Sequence, residues 1–586
     1  MSKQDKKTEV IAYIDFGSRK IQAGRDIVKR VIDSVSDDVI FHYKICPPVD
    51  GDEKSYFAAK AGLAAEKQGH FDEMRDRLFA SNEEYTEELM LAIAQEMQLD
   101  IEMFRTDFYS DTLDFVLQKH WEEARKAGVY LIPSITINNS IYHGAWDEQA
   151  LLEAIKKSKA QPIKSAIDNF FKWGASAAFA LLLATIAALI FANAGFHETY
   201  EHWRHTDFGF VFGQGVFQLP VEMWINDALM AIFFLLIGLE IKREILYGEL
   251  SDLKRAAMPV IGAIGGMVIP ALIYVVINIG GDGIHGWGVP MATDIAFTLG
   301  LMALLGRRVP LSLKVFVSAL AVADDLGAIL VIAIFYGHGF HMDAFIAAML
   351  TVGVMAFLNY RRVYSISLYV ILGIVLWFFI HESGLHATLA GVLTAALIPS
   401  RRSGDLEGVS TQVAMVFDHE IAHAKDTGNY EGIRHGSLRL VQNAVERLRE
   451  PAYYLEHSLE KWVNYLILPL FAFFNTGILL AGTRLNVLEP INLGIIIALC
   501  IGKPVGIVGA CWLASKSGIA RISSEISWPQ LWGGGCLAGV GFTMSIVVAG
   551  AAFNGPVLDA AKMSILIAST IAAVMGITIL YKSKEL

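Results

Sequence analysis

From about Gly174 to its end, this chain is a succession of apolar runs, each near the roughly 20 residues that an α-helix needs to cross the hydrocarbon core of a bilayer. A water-soluble domain has no use for so many. Of the 586 residues, 54% are hydrophobic and only 18% are charged, against about 25% charged in soluble domains. About twelve runs qualify, with cores at 174–194, 222–240, 256–278, 289–305, 312–335, 341–358, 364–381, 385–399, 461–480, 490–514, 530–551 and 561–581, of which 385–399 is short. Lipid offers no partner to backbone N–H and C=O groups, so runs of this kind are helical. The expected fold is an α-helical polytopic membrane protein of about twelve spans, preceded by a polar N-terminal region.

Lys and Arg set the orientation. One set of alternate loops carries "IKRE", "GRRVP", "NYRRVY", "IPSRRSG", "ASKSGIAR" and the tail "YKSKEL"; the other carries "GGDGIHGWG", "FYGHGF", "IHESG" and "AAFNG", with Arg204 and Arg484 as isolated exceptions. Positive charge stays on the cytoplasmic side, which predicts an even number of spans and both termini in the cytoplasm. A long polar loop, about 401–458, falls on that side. Within it "GSLRLVQNAVERLRE", residues 436–450, has the three- and four-residue apolar spacing of an amphipathic helix.

Ionisable residues inside the spans are few. Asp294 stands in "VPMATDIAFTLG", the adjacent Asp324 and Asp325 in "VFVSALAVADDLGAILVIAIF", and Lys503 in "ALCIGKPVGIVG". A charged side chain at the bilayer centre costs about 2.5–3.5 kcal/mol on the mildest scale, so such residues are functional by default. The plainer reading, a satisfied pair that locks helices together, weakens as three Asp and a Lys gather in one bundle. Two neighbouring carboxylates resist joint ionisation, and the site they form can take protons or a hard cation, which prefers oxygen ligands. The backbone agrees: Pro290 and Thr293 lie near Asp294, and "CLAGVGFTMS" puts Gly539 and Gly541 inside another span. Broken helices at membrane depth are tolerated where they line a cavity.

Taken in order, "FFLLIGLEIKRE", "MPVIGAIGGMVIPALIY", "WGVPMATDIAFTLGLMALLG", "ADDLGAI", "ESGLHATLAGVL", "LEHSLEKWVNYLILPLFAFFNTGI", "GKPVGI" and "GVGFTMSI" resemble the NhaA family of bacterial sodium/proton antiporters over about residues 165–582. That family's inverted repeats, discontinuous helices and midplane site are implied by the resemblance and not by spacing. The resemblance implies Asp325 as the main cation ligand with Asp324 beside it, Lys503 as a membrane lysine able to pair with Asp324, and Asp294 and Thr293 where two unwound segments cross. Glu240, Arg243, Glu244, Glu456 and His457 resemble the family's cytoplasmic cluster linked to pH activation. Two departures stand out: Glu460 where the family often has a second His, and Ala323 where a branched apolar residue is commoner. The implied activity is electrogenic exchange of sodium or lithium against protons, serving sodium and pH homeostasis.

A rival signal is "HEIAH", His419 to His423, which matches the zinc metalloprotease pattern H-E-x-x-H. It lies in a charged loop with no clear third ligand downstream, and a solvated polar helix is the plainer reading.

Residues 1–160 read as a soluble α/β domain and 161–586 as the membrane part. "EVIAYIDFG" and "DVIFHYKIC" are expected strands, "AGLAAEKQGHFDEMRDRLFA" a helix, "YLIPSITINNSIYHG" a strand pair and "DEQALLEAIKK" a closing helix. The order resembles the DsbA-like branch of the thioredoxin superfamily, with Pro133 at that family's cis-proline position. The family's two active-site cysteines are replaced by Ser18 and Ile21 in "DFGSRKI", which implies a redox-inactive module. The four cysteines, Cys46, Cys500, Cys511 and Cys536, include no C-x-x-C and suggest neither a disulfide framework nor a thiol zinc site. "MSKQDKKTEVIAYIDFG" has no signal-peptide pattern, so this domain is expected in the cytoplasm. No cofactor is expected. The expected partners are sodium or lithium ions, protons and membrane lipid, with a homodimer left open, no nucleic acid, and an unidentified partner for the N-terminal domain.

Overall fold

The computed structural model describes residues 8–16, 39–48, 53–81, 84–138, 140–142, 144, 147–160, 175–212, 215–337, 339–401, 404–427, 433–479, 486–520, 523 and 525–583. The chain divides into two compact units, Met1–Phe171 and Lys172–Leu586. Ser18 and Ile21, and the segment 161–174 that joins the units, lie outside the described residues.

The first unit is built on a four-stranded sheet of β1 (Thr8–Ile14), β2 (Val39–Ile45), β3 (Ser134–Ile137) and β4 (Ser140–Ile141), in the order β2-β1-β3-β4. β1 runs parallel to β2 and antiparallel to β3, with Val10 opposite Ile137 and Ala12 opposite Ile135. β1 is apolar almost throughout because it is central and covered on both faces. Val10, Ala12 and Ile14 point into one core with Leu63, Met74 and Phe104, while Ile11 and Tyr13 point into another with Cys46, Ala124 and Val129. Five helices between Glu53 and Lys126 separate β2 from β3, and Glu148–Ala160 follows β4. The helix expected across "AGLAAEKQGHFDEMRDRLFA" is in fact two, Glu53–Lys67 and Phe71–Ala80. Gly69, at φ +81°, enters the left-handed region, and the His70 N–H closes onto the Ala65 carbonyl at 2.9 Å. That is a glycine C-cap, which ends a helix.

In the second unit, seven helices are long and apolar enough to cross a membrane: Ser176–Asn193, Val221–Tyr247, Ala256–Ile277, Leu311–Phe335, Met342–Tyr360, Pro490–Lys516 and Gly555–Lys582. Two expected spans are bent pairs. Gly283–Met291 and Ile295–Leu304 meet at 42°, and Trp528–Ala538 and Phe542–Ala552 at 45°, which brings the number to nine among the described residues. The expected twelve is not reached by length and composition, for a reason visible in each remaining helix. Ile366–Glu382 has 17 residues and Leu389–Leu397 has nine. The helix from Pro451 to Thr476 carries Glu456, His457, Glu460 and Lys461 in its first turns. Three spans contain a π-helical turn: Trp224–Leu229, Val463–Ile467 and Ala498–Gly502. A hairpin of β5 (Asp207–Phe212) and β6 (Gly215–Pro220), not expected from the sequence, precedes the second span. In the polar loop, His435–Glu446 forms the amphipathic helix expected at 436–450, after a longer helix, Leu406–Thr427.

Candidate functional site

The two bent pairs cross through their breaks, and the breaks are held by each other's backbone. Between Met291 and Ile295 the chain leaves helical geometry at Ala292 and Asp294. There the Asp294 N–H donates to the Val540 carbonyl at 2.8 Å, the Thr293 hydroxyl to the Ala538 carbonyl at 3.0 Å, and the Thr298 hydroxyl to the Leu537 carbonyl at 2.9 Å. The polar groups freed at one break thus satisfy those freed at the other, as membrane depth requires. Pro290 explains the break on one side, since it cannot donate to a helix. Gly539 explains the approach on the other: a Cβ there would stand 2.5 Å from the Leu499 carbonyl oxygen, inside the π turn before Lys503.

Asp294 is the joint of this crossing. One carboxylate oxygen caps the helix Ile295–Leu304 by accepting from the Phe297 N–H at 3.0 Å; the other accepts from the Thr543 N–H at 3.0 Å and the Thr543 hydroxyl at 2.5 Å. A carboxylate at two helix N-termini is favoured by both helix dipoles. Thr543 was not singled out in the sequence, although it sits in the quoted "GVGFTMSI".

Asp324 and Asp325 are both fully buried on Leu311–Phe335, yet their surroundings differ. Adjacent helical residues point about 100° apart. Asp324 faces Lys503, whose ammonium donates to its Oδ2 at 2.6 Å; the same oxygen accepts from the Thr293 hydroxyl at 2.6 Å. Lys503, itself fully buried, also donates to the Met291 carbonyl. Neither oxygen of Asp325, and not the Oδ1 of Asp324, has a hydrogen-bond partner among the described residues. Asp325 instead lines a cavity of about 340 Å³ together with Asp294 and Thr543.

That cavity reaches the cluster expected at the helix ends. Glu240, Arg243, Glu456, His457 and Glu460 line it too. Arg243 ties the helices Val221–Tyr247 and Pro451–Thr476 together, 2.8 Å from Glu456, 3.4 Å from Glu244 and 4.0 Å from Glu240. His457 sits on the same wall, its ring 4.0 Å centroid to centroid from Tyr453 and its Nδ1 3.1 Å from the Tyr453 carbonyl. The structure therefore gathers the ten residues singled out in the sequence into two groups: a paired cluster, Thr293–Asp324–Lys503, behind the cavity, and the residues that line or border it. Lys503 pairs with Asp324, the pairing that the family resemblance implied, and Asp325 lines the cavity.

The H-E-x-x-H segment is elsewhere, on Leu406–Thr427. Its Glu420, which a metalloprotease would use as its base, is held at 2.7–2.8 Å by the Arg434 guanidinium and at 2.6 Å by the Ser437 hydroxyl. Those bonds depress its carboxyl to about 2. Among the described residues no three His, Cys, Asp or Glu side chains are placed to hold a metal ion. Glu420 joins two polar helices, which is a structural role.

In the first unit, the Ile132–Pro133 peptide is cis. Cys46, buried behind β1, has its thiol pushed up to about 12 by burial.

Comparison with known proteins places both units. Residues 168–580 match the family model described as Na+/H+ antiporter 1, and residues 12–157 match a thioredoxin model. The chain is 39% identical over 475 residues to a protein named Na(+)/H(+) antiporter NhaA of Nitrosospira multiformis, covering 79% of this chain and 76% of that one. It is 41% identical over 419 residues to the protein of that name in Wolinella succinogenes, covering 71% and 92%, and 43% identical over 413 residues to that of Oleidesulfovibrio alaskensis, covering 70% and 92%. Among solved structures, a thioredoxin-like oxidoreductase from Silicibacter pomeroyi covers 27% of this chain and 91% of its own, at 22% identity and a TM-score of 0.25.

Proposed function

The chain belongs to the Na+/H+ antiporter 1 family, and from that premise we propose that its membrane unit, residues 161–586, expels sodium or lithium in exchange for protons entering the cell. The observation that carries this reading is Asp325: a buried carboxylate with neither oxygen hydrogen-bonded among the described residues, lining a cavity that also reaches a charged cluster. An uncompensated charge there is costly, so the site takes up either a proton or a cation, and the two compete. Occupied, it is partly neutralised and can pass the low-dielectric barrier; empty and negative, it is harder to move. This couples the two fluxes.

The neighbours have assigned parts. A hard cation needs several oxygens, and Asp325, Asp324, Asp294 and Thr293 can supply them. Lys503 holds Asp324 while the site is without sodium; a cation drawing on Asp324 competes with the ammonium for the same oxygen. Because more protons than cations move per cycle, exchange is electrogenic. Glu240, Arg243, Glu244, Glu456 and His457 tune the response to pH. The positive-inside pattern supports an inner-membrane location with both termini cytoplasmic. Residues 1–160 form a cytoplasmic binding or regulatory module without redox chemistry, whose partner is unidentified, and the chain is compatible with a homodimer.

The test is sodium-dependent dequenching of a pH dye in everted vesicles. Asp325→Asn should abolish it. Exchange at the wild-type rate in that variant would remove Asp325 from the site.

A further inference from the structure

We propose that a groove of about 450 Å³ walled by Trp512, Trp528 and Trp532 binds the acyl chain of an anionic phospholipid whose headgroup pairs with Lys516. It lies between the helices Lys503–Lys516 and Trp528–Ala538 and shares no lining residue with the cavity of Asp325. The argument begins with its floor. Val508 is buried at the base, and Gly509 opens it: a Cβ built there meets nothing within 4 Å. The walls are indoles that remain 39–48% exposed on the protein surface. Trp512 lies in a span, and Trp528 opens the next helix, fixed by the capping box of Ser527 and Gln530.

Indoles collect at the membrane interface because one edge is apolar and the other carries an N–H donor. Three of them beside one glycine form more than a belt: they line an open surface groove with flat apolar sides, which suits a methylene chain lying along it. A cation beside one wall identifies the headgroup. Lys516 ends the span, and its ammonium sits over the Trp512 ring at 4.8 Å from the centroid. A lysine at a helix end places its charge at headgroup level, where it attracts an anionic lipid and not a zwitterionic one. Gly509 follows Lys503 by six residues, about 9 Å along the helix. On another face this helix is closed by protein, since Gly506 meets the Gly265 backbone so tightly that a Cβ would stand 2.2 Å from the Gly265 carbonyl oxygen. The lipid chain covers a face that protein leaves open, on the helix that positions Lys503.

The experiment uses the full chain in detergent, with native mass spectrometry after addition of phosphatidylglycerol or phosphatidylcholine carrying the same acyl chains. Wild type should retain phosphatidylglycerol about tenfold better than phosphatidylcholine. Lys516→Gln should equalise the two. Gly509→Leu, which fills the floor, should lose both, while Gly509→Ala should behave as wild type; sodium-dependent exchange in reconstituted vesicles checks that each variant is folded. Equal retention of the two lipids by wild type would make the groove an annular contact and overturn the proposal. So would wild-type retention by a folded Gly509→Leu. Should Gly509→Leu not fold, the Lys516→Gln comparison decides alone.

Discussion

Two neighbouring aspartates make opposite demands on the fold. Asp324 neutralises a lysine with no exposed surface, so Asp324→Asn leaves an ammonium buried without its counter-charge. Breaking a buried pair in this way costs about 3–5 kcal/mol, and the thermal midpoint of the purified protein should fall clearly. Asp325 has no hydrogen-bond partner among the described residues to strand, so Asp325→Asn removes a poorly solvated charge and should leave the midpoint unchanged or raised, even as it abolishes exchange. Equal destabilisation by the two substitutions would contradict the division of roles. The sequence announced the pair, because carboxylates in an apolar run are rare. The apolar pattern alone could not say which faces the lysine, since the 100° offset depends on how the helix is rotated against neighbours far away in the chain; only the family resemblance pointed to Asp324. Cys46 offers a smaller test at this scale. Its thiolate is suppressed by burial, with the thiol held near 12, and nucleophilic attack needs the thiolate. At pH 8 it should resist an alkylating reagent in the native protein and react once the chain is denatured.

At the scale of elements, the crossing of the bent pairs is held by few bonds and close backbones. Thr543 donates from both its N–H and its hydroxyl to one oxygen of Asp294. Thr543→Val keeps the shape and deletes the hydroxyl donor to a buried carboxylate; a lost bond of this kind costs about 1–3 kcal/mol. The expected result is a lower thermal midpoint together with weaker sodium affinity, read from the sodium concentration that gives half-maximal dequenching; an unchanged value for both would show that the hydroxyl does not support the site. Gly506→Ala tests the close approach to Gly265. A methyl group 2.2 Å from a carbonyl oxygen forces the helices apart, and overpacking costs about 1–3 kcal/mol; a stable variant with wild-type exchange would show that the contact can relax. Both breaks were legible, because Pro290 near Asp294 and the pair Gly539 and Gly541 interrupt apolar runs. The π turns were not, because they obey the same apolar pattern as the α-helix around them. The nine-residue helix Leu389–Leu397 and the 17-residue Ile366–Glu382 also show why counting runs overshoots a length test: apolar residues continue past the ends of a helix into its turns.

At the scale of the whole molecule, the question is what a thioredoxin-like unit contributes to a chain whose second unit holds every residue proposed for exchange. Every residue assigned to exchange, from Glu240 to Lys503, lies within the second unit. The first has its own cores, on both faces of its sheet. Thiol–disulfide exchange requires an attacking thiolate and a second thiol to resolve the mixed disulfide. This unit has one cysteine, Cys46, sealed behind β1, and the positions matching the family's reactive pair hold Ser18 and Ile21. The full chain supplied with dithiothreitol should therefore reduce insulin no faster than dithiothreitol alone, and restoring Ser18→Cys without a resolving partner should not change that. Deleting residues 1–160 should leave sodium-dependent dequenching in everted vesicles intact per molecule of protein reaching the membrane, while its pH profile or its abundance shifts. A deletion protein that is inserted in normal amount but exchanges nothing would place the first unit in the transport cycle itself, because every residue proposed for exchange lies in the second unit and only an obligatory conformational role would then explain the loss.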